Sequence, residues 1–307
     1  IMEKKIQSTK EYRISYAMEN PSNPEETEWF EKDTFLSALA EYDQHGNVLK
    51  TMGYNHAGEI NEHYVYKYDD KNNLIEELNY FDEQELAEHR FFKYNEAGKV
   101  GEEKVIYMEG GENIITYFYD EQGNLTKRQQ TDIDGEIEET EMMDFINGKL
   151  VLAIQTDGEN SLMSKREYAY NKDGKIINYI FTAADEDGNF RTEYYYDEKG
   201  IREKTLKYNA KGQLVEKNLF TTDDQDNVIE IYEEDTRSIK TTRFTYDESN
   251  RITRQEEYNR DEDLLMSIER TYNEDGKLAE ALVYTQNPAE NIRSMSATKY
   301  EYFYYDE

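Results

Sequence analysis

The chain contains no cysteine, which excludes a disulfide framework, a thiol nucleophile and a thiolate-held metal. Proline occurs three times, and Pro21 and Pro24 share one irregular stretch, Asn20-Pro21-Ser22-Asn23-Pro24. Tryptophan occurs once, at Trp29. No apolar run approaches the length of a membrane-spanning helix, no signal-peptide pattern is read, and no 3.6-residue apolar period is sustained. Basic residues are in deficit: 36 Lys and Arg stand against 68 Asp and Glu, a net charge of -32. That balance repels phosphate backbones and anionic lipid surfaces, so nucleic acid and membrane insertion are excluded as partners. It also keeps an exposed sheet soluble and discourages edge pairing.

Aromatic residues are abundant instead, with 28 tyrosines and 12 phenylalanines in 307 residues. They recur in one pattern, clearest at Tyr119-Asp120-Glu121-Gln122-Gly123-Asn124-Leu125. Close copies run from Tyr42 to Val48, Tyr94 to Val100, Tyr170 to Ile176, Tyr208 to Leu214 and Tyr272 to Leu278. Looser copies start at Tyr54, Tyr68, Tyr196, Tyr246 and Tyr258. The Asp or Asn after the tyrosine accepts hydrogen bonds from backbone just ahead of it. The glycine that follows (Gly46, Gly98, Gly123, Gly174, Gly212 and Gly276) takes a left-handed turn conformation without a Cβ penalty. Glycine is read as lost at Asn73, Glu85, Asn227, Asn250 and Asp263.

Anchor tyrosines fall every 12 to 14 residues, room for one strand and one turn. The fold expected is therefore all-β. It is a long antiparallel meander of about 18 to 22 strands in tandem hairpins, forming a twisted, spiralled or partly rolled sheet. Residues 1–40 read as atypical strands that cap the array, with Trp29 in the cap, and residues 41–307 as the repeat array, continuous with it as one elongated domain.

The Tyr-Asp-x-x-Gly-x-Leu pattern resembles the YD repeat of RHS-like bacterial surface and toxin-shell proteins. It is similar also to YwqK-like antitoxin hairpin repeats of the kind found in secreted Bacteroidetes proteins. The resemblance covers roughly residues 40 to 307. It implies a scaffold or binding surface with no catalytic residues, in a secreted, periplasmic or cell-surface protein.

Chemistry-bearing clusters are sparse. His45, His56, His63 and His89 lack metal-ligand spacing and read as surface residues. Asp132-x-Asp134-Gly135, Asp185-x-Asp187-Gly188 and Asp224-x-Asp226-Asn227 look like half of a calcium loop, but the downstream bidentate glutamate is missing. Weak structural calcium is the one cofactor reading they admit. Ser161, Ser164 and Ser249 have no elbow motif around them and no histidine nearby in sequence, so an enzyme is not expected. Tyr66, Tyr68, Phe92, Tyr94, Tyr117, Tyr119, Tyr168 and Tyr170 are assigned to structure. Phe91, Phe118 and Tyr195, on the opposite face, are binding candidates together with Trp29. The reading is a non-catalytic scaffold for a protein partner. The alternatives are an acidic immunity-type protein that takes a basic toxin, and a glycan-binding surface.

Overall fold

The computed structural model describes residues 4–20 and 28–306. The expected loop at Pro21 and Pro24 falls outside them. Twenty-two strands follow one another in a meander. The first eight are β1 (Ile6–Met18), β2 (Trp29–Tyr42), β3 (Val48–Tyr54), β4 (Ile60–Tyr68), β5 (Leu74–Tyr80), β6 (Leu86–Tyr94), β7 (Val100–Tyr107) and β8 (Glu112–Tyr119). Next come β9 (Leu125–Asp132), β10 (Ile137–Ile146), β11 (Lys149–Asp157), β12 (Leu162–Tyr170), β13 (Ile176–Ala183), β14 (Phe190–Tyr196) and β15 (Arg202–Asn209). The last seven are β16 (Leu214–Thr222), β17 (Val228–Asp235), β18 (Ile239–Tyr246), β19 (Ile252–Asn259), β20 (Leu264–Tyr272), β21 (Leu278–Asn287) and β22 (Ile292–Tyr304). A single 3-10 turn, Glu186–Gly188, is the only helix among the described residues.

The expected all-β meander is present, and it goes further than a partial roll. Strand β1 pairs antiparallel with β2 on one side and with β22 on the other, with Ile14 opposite Ala297 and Thr9 opposite Tyr302. The sheet therefore closes into a 22-stranded barrel. This overturns the YD-repeat, RHS-like and YwqK-like reading of an open hairpin-repeat scaffold. An open array leaves two unpaired edges, whereas the β1–β22 ladder satisfies both.

The barrel is wide and wet. Twenty-two strands spaced about 4.8 Å apart give a circumference of about 105 Å, or about 34 Å across before strand tilt. A compact protein of 36.5 kDa exposes about 13,500 Å², whereas this one exposes 19686 Å². Water reaches both faces of the sheet, and the described residues include only six buried hydrophobic ones, Val105 and Ala153 the deepest. The fold is held by strand ladders and cross-strand pairs more than by a packed interior.

The turns explain the regularity. The Asp or Asn after each anchor accepts from the backbone N–H two and four residues on, as Asp69 does from Lys71 and Asn73, and Asn171 from Asp173 and Lys175. The left-handed residue follows, with φ of 80° at Gly123 and 74° at Gly212. Where glycine is missing, that residue is Asn72, Asp226 and Glu262 rather than the neighbouring Asn73, Asn227 and Asp263; Asn250 is as expected. The turn at Glu85 contains no left-handed residue and is held by Asp82, which accepts from Gln84 and Glu85.

Candidate functional site

Because successive turns lie on opposite ends of the strands, the barrel has two rims, and they differ in chemistry. One rim carries the turns after β2, β4, β6 and every second strand onward. Here the tyrosine at the strand end reaches back to the carbonyl that opens the preceding strand. Tyr68 donates to Val48 at 2.8 Å, Tyr94 to Leu74 at 2.8 Å, Tyr119 to Val100 at 2.8 Å and Tyr170 to Leu150 at 2.7 Å. Tyr196, Tyr246, Tyr272 and Tyr302 repeat the contact to Ile176, Val228, Ile252 and Leu278. Tyr305 makes a contact of the same kind across the closure, donating to the Tyr42 carbonyl at 2.6 Å. The residue after the left-handed turn residue often covers the next tyrosine ring: Lys99, after Gly98, lies over Tyr119 at 5.1 Å, and Arg251, after Asn250, over Tyr272 at 4.4 Å. Lys99 and Lys175 also donate to the carbonyls of Gly123 and Gly200 in the next turn. Lys99, Lys149, Lys175, Lys199 and Arg251 are thus used in holding this rim together.

The opposite rim has none of these tyrosine locks. Tyr208, equivalent in sequence, sends its hydroxyl to Glu193 at 3.4 Å instead. Five consecutive turns, joining β5 to β6, β7 to β8, β9 to β10, β11 to β12 and β13 to β14, form an acidic sector. Their segments 81–85, 108–112, 132–138, 157–161 and 184–189 hold fourteen Asp and Glu and no Lys, Arg or His. Neighbouring turns are laced together. Met108 N–H donates to Ala87 at 2.9 Å, Asn113 to Glu138 at 2.9 Å and Ala184 N–H to Met163 at 3.0 Å. Gly158 sits so close to Ile137 that any Cβ would collide with its carbonyl. The sector spans about 40 Å of rim, two strands per turn. Within it Glu112 is paired to Lys104 at 2.6 Å. Asp82 is held below the usual carboxylate range by the N–H groups of Gln84 and Glu85.

Between the rims, one face carries a half-buried polar belt. Arg90 bridges Glu88 and Glu103, the latter at 2.7 Å, and Tyr117 donates to the other oxygen of Glu103 at 2.8 Å. Burial pushes the Tyr117 hydroxyl up, and the Glu103 carboxylate adds to the rise. Glu77 is raised by burial against the pull of Arg90. Arg128 pairs with Glu139, and Arg166 with Glu141. The ions named in this belt are all paired, Glu88 with Arg90 along one strand and the others between strands, so it acts as a structural network.

The structure does not gather the sequence-derived binding candidates into one place. Phe91 on β6 lies opposite Lys104 and packs on His89 at 3.9 Å. Phe118 on β8 lies under Lys127 at 5.1 Å, and Tyr195 on β14 under Lys204 at 4.0 Å. Trp29 meets Tyr284 edge-on at 6.4 Å. The histidines are not all at the surface: His63 is buried against Tyr80 at 4.7 Å, and His89 is half-buried beside Glu76 at 3.0 Å. Asp132 and Asp185 use one carboxylate oxygen to cap their own turns. No group of three or more metal-binding side chains converges among the described residues. The acidic sector was hidden by the self-similarity of the repeat, yet a signal existed. The last turn residue is Lys or Arg at Lys99, Lys149, Lys175, Arg251 and Lys277, and Glu at Glu59, Glu85 and Glu136, in alternate turns.

No protein-family model matches the chain, and no curated protein matches its sequence. Solved structures of similar shape include the TcdB2–TccC3–Cdc42 crystal structure, 12% identical with a TM-score of 0.47 over 83% of this chain. The Photorhabdus luminescens Tc holotoxin pore is 12% identical with a TM-score of 0.36 over 92% of it. This chain spans only 16% and 18% of those two. A porin-like protein from Bacteroides uniformis is 9% identical with a TM-score of 0.28, over 97% of this chain and 98% of that one.

Proposed function

We propose that this protein is a non-catalytic β-barrel binding module that takes a cationic protein partner through its acidic surface. The observation that carries the reading is the uneven placement of charge. The net charge of -32 is not spread evenly: one rim uses lysines such as Lys99 and Lys175 internally, while a five-turn sector of the other presents fourteen carboxylates with no base among them. Such a field draws cationic partners and speeds their encounter at low salt. No helix among the described residues is long and apolar enough to cross a membrane. The barrel wall supports the same view. A lipid-facing wall needs a continuous apolar band, and here charged pairs interrupt both faces, Lys67–Glu76 and Lys93–Glu102 on one, Arg90–Glu103 and Arg128–Glu139 on the other. A secreted or cell-surface location belongs to this reading and is checked by fractionating the native cells.

The test is binding of a strongly basic and a strongly acidic protein of similar size, at low and high salt. Selective, salt-sensitive binding of the basic protein is the expected result. Equal binding of both, or signal confined to a glycan array, overturns it.

A further inference from the structure

The acidic sector also carries exposed apolar side chains. Phe81, Met108, Ile133 and Ile137 lie in or beside its first three turns, exposed by 53%, 46%, 65% and 46%. Leu162 and Met163 follow at the start of β12, each 40% exposed. The opposite rim carries exposed apolar groups too, among them Leu49, Phe118, Ile146, Ile177 and Phe303, but these stand beside lysines, as Lys127 does over Phe118 and Lys10 over Phe303. The hydrogen bonds from Met108 to Ala87, Asn113 to Glu138 and Ala184 to Met163 tie neighbouring acidic turns together, so the apolar groups are spaced along one stretch of rim.

Apolar groups spaced between carboxylates set conditions on whatever covers them. A neutral or acidic apolar partner would strip water from Asp82, Glu83, Asp134 and Glu136 without supplying a counter-charge, which is strongly unfavourable. A uniformly cationic strand would satisfy the charges and leave the apolar groups in water. The geometry points to a cationic amphipathic segment of a partner protein, with Lys or Arg interleaved with aliphatic or aromatic residues, docked along the rim from the β5–β6 turn to the β13–β14 turn. This rests on the reading of the protein as a binder of cationic proteins and assigns the place and the second half of the chemistry.

The probe is a short labelled peptide alternating lysine and leucine, compared with oligolysine of equal charge and with a serine–leucine peptide. Fluorescence anisotropy is read on the full chain and on two variants. One carries Phe81→Ser, Met108→Ser, Ile133→Ser and Ile137→Ser, which leave every charge in place. The other carries Leu49→Ser, Ile146→Ser and Ile177→Ser on the opposite rim. All seven positions are exposed, and circular dichroism confirms the folded state. The lysine–leucine peptide is expected to weaken about tenfold on the first variant only, with oligolysine unchanged. Unchanged lysine–leucine affinity, an equal loss on the second variant, or equal binding of the serine–leucine peptide overturns the docking assignment while leaving the cationic reading intact. If neither cationic peptide binds the unmodified protein at low salt, the underlying reading itself has failed.

Discussion

A tyrosine on the locking rim does two jobs at once: its ring covers the sheet, and its hydroxyl fixes the neighbouring hairpin. Tyr119 shows both, under Lys99 and bonded to Val100. Tyr119→Phe keeps the ring and removes the bond, and chemical denaturation should show a loss of about 1 kcal/mol. The same substitution at Tyr208, whose hydroxyl meets only Glu193 at 3.4 Å, should cost less. The turn aspartates add a pH term. Asp69 is held below its ordinary value first by the Asn73 side chain, then by backbone N–H groups. A depressed carboxylate contributes stability that is present above its unfolded pKa, about 3.9, and is lost as pH falls through the folded value. Asp69→Asn preserves the acceptor, as Asn95 does natively in the same slot, and removes the titration. Below pH 4 the variant should therefore lose stability less steeply than the parent, as followed by melting temperature.

At the scale of strands and turns, the sequence was legible wherever the physics is local. The Asp-x-x-Gly turns, the period-two aromatics and the number of strands all follow from neighbouring residues. Closure does not. Every repeat edge resembles every other, so nothing local says that β22 stops against β1 rather than remaining an edge; the pairing joins the two ends of the chain. The two rims were equally hidden, because alternate turns share one motif and differ only in what surrounds it. The same limit explains the shift from Asn73 to Asn72: either asparagine suits a turn, and the hydrogen bond from Asn72 N–H to Asp69 selects one. Closure is testable at Ala297, which is 2% exposed and lies between Ile14 and Leu282. Ala297→Arg should break the β1–β22 ladder, expose two strand edges and produce concentration-dependent association in sedimentation velocity.

For the molecule as a whole, a barrel without a packed core depends on many small hydrogen-bonded terms, and its tyrosines report on them together. Burial raises Tyr68, Tyr94, Tyr119 and Tyr246 above the ordinary phenol value, and Tyr304 is pushed up to about 12 by burial and by its bond to Asp275. A phenol raised on folding contributes stability that is whole below pH 10 and is lost as pH climbs toward the folded value. Stability should fall steeply above pH 10, with ultraviolet phenolate absorbance and loss of strand signal rising together. Phenolate formation at pH 10 with the strand signal intact would contradict this.

The bond from Tyr305 to Tyr42 across the closure joins residues 263 positions apart. Every other strand can pair with the one just before it, so most of the chain can zip up from local contacts, but the final ladder must wait for all twenty-two. Until then the growing sheet carries two open edges, and the slowest and most aggregation-prone moment in making this protein is the instant before its ends meet.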